Sequence, residues 1–183
     1  GFDMNLFVSV KNNPLRIWAC LILATSVVLC FTPLFNLLAF EFAFAISVPL
    51  SLAAGMLGVY FDRCPSNWVS RLRNSLLWLF GFWALALGPI LLNAIRVQNC
   101  NLLEGFLLFI IFPVVGSICA FLWGITAETI RPDKGMRVFI GLWFLFIFYG
   151  FFKFFVDPPV DIYSPILGYW PGALYDDVFL IDI

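Results

Sequence analysis

Of 183 residues, 63% are hydrophobic, 19% aromatic and only 11% charged. A soluble domain carries about 25% charged residues, so a soluble globular domain, a disordered chain, a collagen and a disulfide-stapled secreted scaffold are all excluded. Ten Lys and Arg against eleven Asp and Glu leave a net charge of −1, which excludes nucleic acid as a bulk electrostatic partner. What remains is an integral membrane protein of the all-α class, with the lipid bilayer as its first partner.

Histidine is absent, which removes the commonest general base and the usual zinc ligand. The five cysteines, Cys20, Cys30, Cys64, Cys100 and Cys119, show no CxxC spacing. They point neither to a metal site nor to a disulfide framework. No cofactor is expected. Gly1-Phe2-Asp3 ahead of Met4 reads as extra sequence before a native start.

A helix needs about 20 mostly apolar residues to cross a bilayer. Five stretches meet this: Ile17–Phe35, Phe42–Phe61, Ser75–Ile95, Gly105–Ala127 and Val138–Val156. They make residues 4–156 a transmembrane bundle. The runs do not alternate as barrel strands do, and the first is too long for a removable signal peptide. Span one should remain as an anchor.

Orientation follows from the basic residues. Lys11, Arg16, Arg63, Arg71, Arg73, Arg131, Lys134 and Arg137 fall on one side, with Asp3, Asp62, Glu128 and Asp133. Only Arg96 and Lys153 fall on the other, with Glu41, Glu104, Asp157, Asp161, Asp176, Asp177 and Asp182. The expectation is a cytoplasmic N-terminus and an external C-terminus, in a bacterial inner membrane. Trp18, Trp78 and Trp123 are expected at cytoplasmic helix ends. Ser66–Arg73 reads either as a short interfacial helix or as a solvated basic loop.

Two outward hairpins resemble each other. Asn36-Leu-Leu-Ala-Phe-Glu41 enters span two, and Asn101-Leu-Leu-Glu104 enters span four. Small residues then recur in span two at Ala43, Ser47, Ser51 and Gly55, and in span four at Gly116, Ala120 and Gly124. Steps of four put them on one helix face, where two backbones can approach closely in lipid. The pattern reads as a parallel repeat, or as two helix starts alike by chance. Pro33, Pro49, Pro89 and Pro113 give each of the first four spans one internal proline. These predict kinks, and only secondarily an outward cavity.

Span five carries aromatics on every face, from Phe139 and Trp143 to Phe155, which suits lipid contact or a protein seam. Lys153 stands four residues before Asp157, a spacing that permits a modest ion pair. Residues 157–183 then form a tail with four prolines and five Asp but no Lys or Arg. It is too apolar for disorder and is expected to run extended and turn-rich along the outer interface, with Trp170-Pro-Gly-Ala as a turn. Its apolar ending reads as a cut inside a longer polypeptide. Asp176-Asp177 reads as solvated charge rather than a divalent-cation site.

The tail motif Gly168-Tyr169-Trp170-Pro171-Gly172-Ala173-Leu174-Tyr175-Asp176, together with the Asn-Leu-Leu…Glu hairpins, resembles the membrane region of poorly characterised bacterial envelope proteins. That resemblance implies a helical bundle leading into an outer-face domain, sometimes zinc-peptidase-like. With no histidine and no His-Glu-x-x-His, no peptidase chemistry carries over.

Candidate ligand or ion residues cluster at the outer mouth: Asn36, Glu41, Asn93, Arg96, Asn101 and Glu104. One reading makes the glutamates helix-start charges and pairs Arg96 with Glu104. The other makes Arg96 an anion anchor and the glutamates cation or proton sites. Glu128 and Asp133 read as ordinary charge mixing in a loop. No catalytic set is present. The functional expectation is a non-enzymatic anchor or assembly module for a protein partner or further domain on the outer face. A small transporter or lipid-handling protein is the alternative, and an intramembrane enzyme using paired glutamates comes after it.

Overall fold

The computed structural model describes residues 13–63, 67–97, 102–156, 161–164 and 168–171. Helix α1 spans Asn13–Phe31, α2 Phe40–Arg63 and α3 Trp68–Arg96. Helix α4, Leu102–Phe109, runs through a π-helical turn at Ile110–Val114 into α5, Val115–Ile130. Helix α6 spans Gly135–Val156. Two strands follow, β1 at Asp161–Ser164 and β2 at Gly168–Pro171, paired antiparallel with Asp161 opposite Pro171 and Ser164 opposite Gly168. Among the described residues, four helical stretches are long and apolar enough to cross a bilayer: Pro14–Phe31, Phe40–Arg63, Trp68–Arg96 and Leu102–Ile130. The chain is therefore a helical, polytopic, integral membrane protein.

Three local expectations are corrected. The first helix stops at Phe31 rather than Phe35, so Pro33 lies in the following turn and not inside a span. That turn puts the exposed Leu34 in the left-handed region at φ 77°, where a branched side chain is strained. Residues 68–73 form neither a separate interfacial helix nor a loop, because α3 runs unbroken from Trp68. Trp68 therefore marks the helix end, while Trp78 lies well inside and packs on Phe82 at 5.7 Å. Pro113 makes more than a kink. Its missing amide shifts the ladder to the wider π turn.

Helix α2 is the centre of the bundle. Its buried residues include Phe42, Ala43, Ile46, Ser47, Leu50, Ser51, Ala54, Gly55 and Gly58, so it faces protein on nearly all sides. Lipid tails are as apolar as leucine, so close packing rather than hydrophobicity must hold such a helix. Small residues permit this. A β-carbon on Gly58 would strike the Phe121 carbonyl of α5, and one on Gly124 would strike the Gly55 carbonyl of α2. A β-carbon on Gly55 would also enter the Phe139 ring of α6.

These contacts are reciprocal. Gly58 and Gly124, Gly55 and Phe121, and Val59 and Ile125 are each 66 positions apart. The Gly58 position approaches the Ile125 amide at 3.0 Å, and the Gly124 position approaches the Val59 amide at 3.1 Å. Ser51 and Ser117 share that offset. Trp143 of α6 donates to Ser51 Oγ at 3.0 Å, and Trp83 of α3 donates to Ser117 Oγ at 2.9 Å. The helix after each member of the central pair thus reaches across to the other member. The 66-residue relation holds between α2 and α5 but not between the two tryptophans, which are 60 positions apart.

The serine hydroxyls serve backbone carbonyls near the prolines. Ser51 donates to the Val48 carbonyl at 2.9 Å, beside Pro49. Ser117 donates to the Val114 carbonyl at 2.8 Å, beside Pro113. Ser26 of α1 crosses to the Ala86 carbonyl at 2.7 Å, one turn before Pro89. These bonds fall beside the prolines, and not on the Ala45 and Leu85 carbonyls, four residues earlier, that lose an amide donor to Pro49 and Pro89.

Candidate functional site

Two polar clusters lie at opposite ends of the bundle. The first is the one expected from sequence. The turn at residues 32–39 is tied to α3 by Asn93 Nδ2, which donates to the Asn36 carbonyl at 2.7 Å. Gly105 in the first turn of α4 packs against Leu38, where a β-carbon would strike the Leu38 carbonyl. Both hairpin turns therefore meet at this end.

Glu41 and Glu104 stand exposed in the first turns of α2 and α4, where the positive helix end favours a carboxylate. The Arg96 guanidinium lies over the Phe31 ring, 5.4 Å from its centroid. Asn36, Asn93 and Arg96 are thus brought together around the exit of α1. Asn101 lies outside the described residues, as do Cys64, Cys100, Asp157 and Asp176-Asp177. The Lys153 side chain is not among those described.

The small residues of the packing face all fall inside the bundle: Ala43, Ser47, Ser51 and Gly55 on α2, and Gly116, Ala120 and Gly124 on α5. Gly58 and Gly105 belong with them by the same β-carbon criterion. Their signal was a glycine one turn from a glycine or beside a hairpin, and the reading by fours skipped both.

The second cluster lies at the basic end, where sequence suggested only mixed charge. Glu128 of α5 is 4% exposed. Its carboxylate accepts a forked pair from Arg63 at the end of α2, Nε to Oε1 at 2.7 Å and Nη2 to Oε2 at 3.0 Å. The Asp133 amide adds a bond to Oε1 at 3.0 Å, with Asp133 itself at φ 68°. Gly135, the first residue of α6, packs so closely that a β-carbon would overlap this carboxylate. One side chain therefore joins the end of α2, the 131–134 loop and the start of α6. Ordinary charge mixing does not describe it.

Arg71 of α3 completes the cluster. Its Nη1 donates to the Phe61 carbonyl at 3.0 Å and to that of Asp62 at 3.5 Å, and its guanidinium lies 4.9 Å from the Phe61 ring centroid. It thus caps the C-terminal end of α2, where a cation is favoured. Thr129 reaches Asp62 at 3.4 Å.

Chemically, the two clusters differ. Both Glu128 oxygens are occupied and shielded, which suits a strut and not a proton shuttle. The other end presents exposed charge on helix starts. Among the described residues, no three His, Cys, Asp or Glu side chains come together in a group that could hold a metal ion. Cys20, Cys30 and Cys119 are free thiols. No family model, curated protein or solved structure matches this chain.

Proposed function

We propose that this chain is a non-enzymatic anchor and assembly module of a bacterial inner-membrane protein or complex. It holds an outer-face domain or protein partner in a set orientation through residues 157–183. In this reading α6 makes a fifth crossing, the basic end faces the cytoplasm and the tail is periplasmic. The supporting observation is the sealed middle of the bundle: Gly55, Gly58 and Gly124 bring α2 and α5 into backbone contact, and Phe139 fills the remaining side. Such a seam gives rigidity and leaves no room between α2 and α5 at mid-depth for a solute. The pairing of β1 with β2 just after α6 supports a tail with its own local order.

Two experiments test this. Arg73→Cys and Asp177→Cys should react with an impermeant maleimide from opposite sides of the membrane; reaction from one side defeats the topology. A photo-crosslinking residue at Tyr169 should give a discrete adduct in native membranes, whereas the same residue at Phe148, on the exposed side of α6, should give none.

The alternative, a small transporter or lipid-handling protein, draws on one observation. Arg96 remains exposed with an aromatic ring as its described partner. Solute or lipid movement by the full chain in proteoliposomes, lost in Arg96→Ala or Glu104→Ala, would replace the anchor reading with this one.

A further inference from the structure

The continuous helical stretch from Leu102 to Ile130 has 29 residues, about 43 Å of helix against roughly 30 Å of hydrocarbon. Its surplus falls at the Leu102 end. Only Thr129 and Ile130 extend past Glu128, whose carboxylate meets Arg63 at the basic boundary. About 20 residues back from Glu128, near Leu108, the hydrocarbon is used up. The packing agrees, because Gly105 lies against Leu38, ahead of the start of α2 at Phe40.

The first turns of α4 thus stand clear of the lipid tails, yet they are apolar. Leu102, Leu103, Phe106 and Leu107 are all exposed, Leu103 at 72%. Positions i, i+1, i+4 and i+5 make one helix face. An apolar face outside the hydrocarbon marks a contact surface.

What covers this face follows from where the chain goes next. Strand β2 lies against the π turn at Ile110–Val114, so the chain leaves Pro171 about 5–10 Å from that face, measured along the helix. Residues 172–183 follow, a length that reaches up to about 40 Å. They include Val178-Phe179-Leu180-Ile181, four consecutive apolar residues that water would leave uncovered. Charge matches as well. Asp176, Asp177 and Asp182 flank that run with no cation in the segment, and Arg96 is the described cation at this end of the bundle.

We propose that Val178–Ile181 seats on the Leu102–Leu107 face of α4, with Asp176 and Asp177 toward Arg96. The π turn holds the near end of this stretch through β2, so the short link from Pro171 keeps the entropy of closure small. The seat goes beyond the anchor reading and does not depend on it. It needs neither an outside partner nor a particular side of the membrane.

The test uses the full chain in native membranes, with its five cysteines replaced by serine. Leu103→Cys with Phe179→Cys should form a disulfide within one chain under mild oxidation. A link between two chains overturns the proposal in favour of a second copy, and absence of any link overturns it outright. In membranes opened to both sides, Leu103→Cys alone should react slowly with an impermeant maleimide. Adding Val178→Ser, Phe179→Ser and Leu180→Ser should speed that reaction at least about fivefold. Ile95→Cys, exposed at the end of α3, should change by less than about twofold. A rise at both positions would mean general loosening. Slow reaction with and without the serines would mean that lipid covers the face, and fast reaction in both that nothing does. Each of these three outcomes overturns the seat.

Discussion

The two ends of the bundle use their charged groups in opposite ways. At the basic end, Glu128 is enclosed and forked by Arg63, and the loop and α6 are built onto it. At the other end, Glu41 and Glu104 sit exposed on first turns, and Arg96 rests on an aromatic ring. A charge taken out of water must be fully paired, whereas one left at a helix start needs only the helix end itself. Burial, not charge count, therefore separates a structural strut from a surface.

The sharpest way to break this contrast is to remove Arg63. Arg63→Gln leaves Glu128 buried without its cation and should cost roughly 3 kcal/mol, at the low end for a buried pair because the Arg63 side chain is itself partly exposed. Glu128→Gln should cost less, about 1–2 kcal/mol, since Arg63 can turn to water. Denaturant titration of the protein in micelles, read by near-ultraviolet circular dichroism, gives both values. Equal costs would mean that Glu128 is wet, and the contrast between the ends would vanish.

Gly135→Ala comes next. Its β-carbon meets the Glu128 carboxylate and, at 2.5 and 2.8 Å, the Glu128 α-carbon and amide. Backbone cannot swing aside as a side chain can, so the substitution should cost about 1–3 kcal/mol. Gly81→Ala, with nothing within 4 Å of the new methyl, is the control. It should stabilise slightly by helix propensity, by up to about 1 kcal/mol.

How much of this was legible in the sequence differs by level. The long apolar runs and their basic flanks marked the helices, because crossing lipid imposes a length that few other structures need. The four-residue rhythm of Ala43, Ser47, Ser51 and Gly55 lies on the buried face of α2, and the partner rhythm lies on α5. Gly58 escaped because it falls three positions from Gly55, on the same face by the other helical spacing. Glu128 escaped for a different reason. Its partner is 65 positions away and its loop turns back through Asp133 in a left-handed conformation. Nothing local to Ala127-Glu128-Thr129 signals enclosure. The π turn was unreadable as well: Pro113 announces a missing amide but not whether the helix bends or widens.

The smallest effects belong to the exposed end, and they sharpen the comparison by being small. Arg96→Ala removes a guanidinium resting on Phe31 and should cost about 0.5–1 kcal/mol, the range for an exposed cation–π contact. Arg96→Lys should keep part of that, since charge over the ring persists without the flat stacking surface. Glu41→Gln leaves a polar group at the first turn of α2 and loses only the charge–dipole attraction, about 0.3–1 kcal/mol at low ionic strength. Raising the salt should erase the Glu41 effect but leave that of Arg63→Gln largely intact, because a partly enclosed pair is screened far less than an exposed charge. If both responded to salt alike, the two ends would share one dielectric environment, and the difference between them would lie in geometry alone.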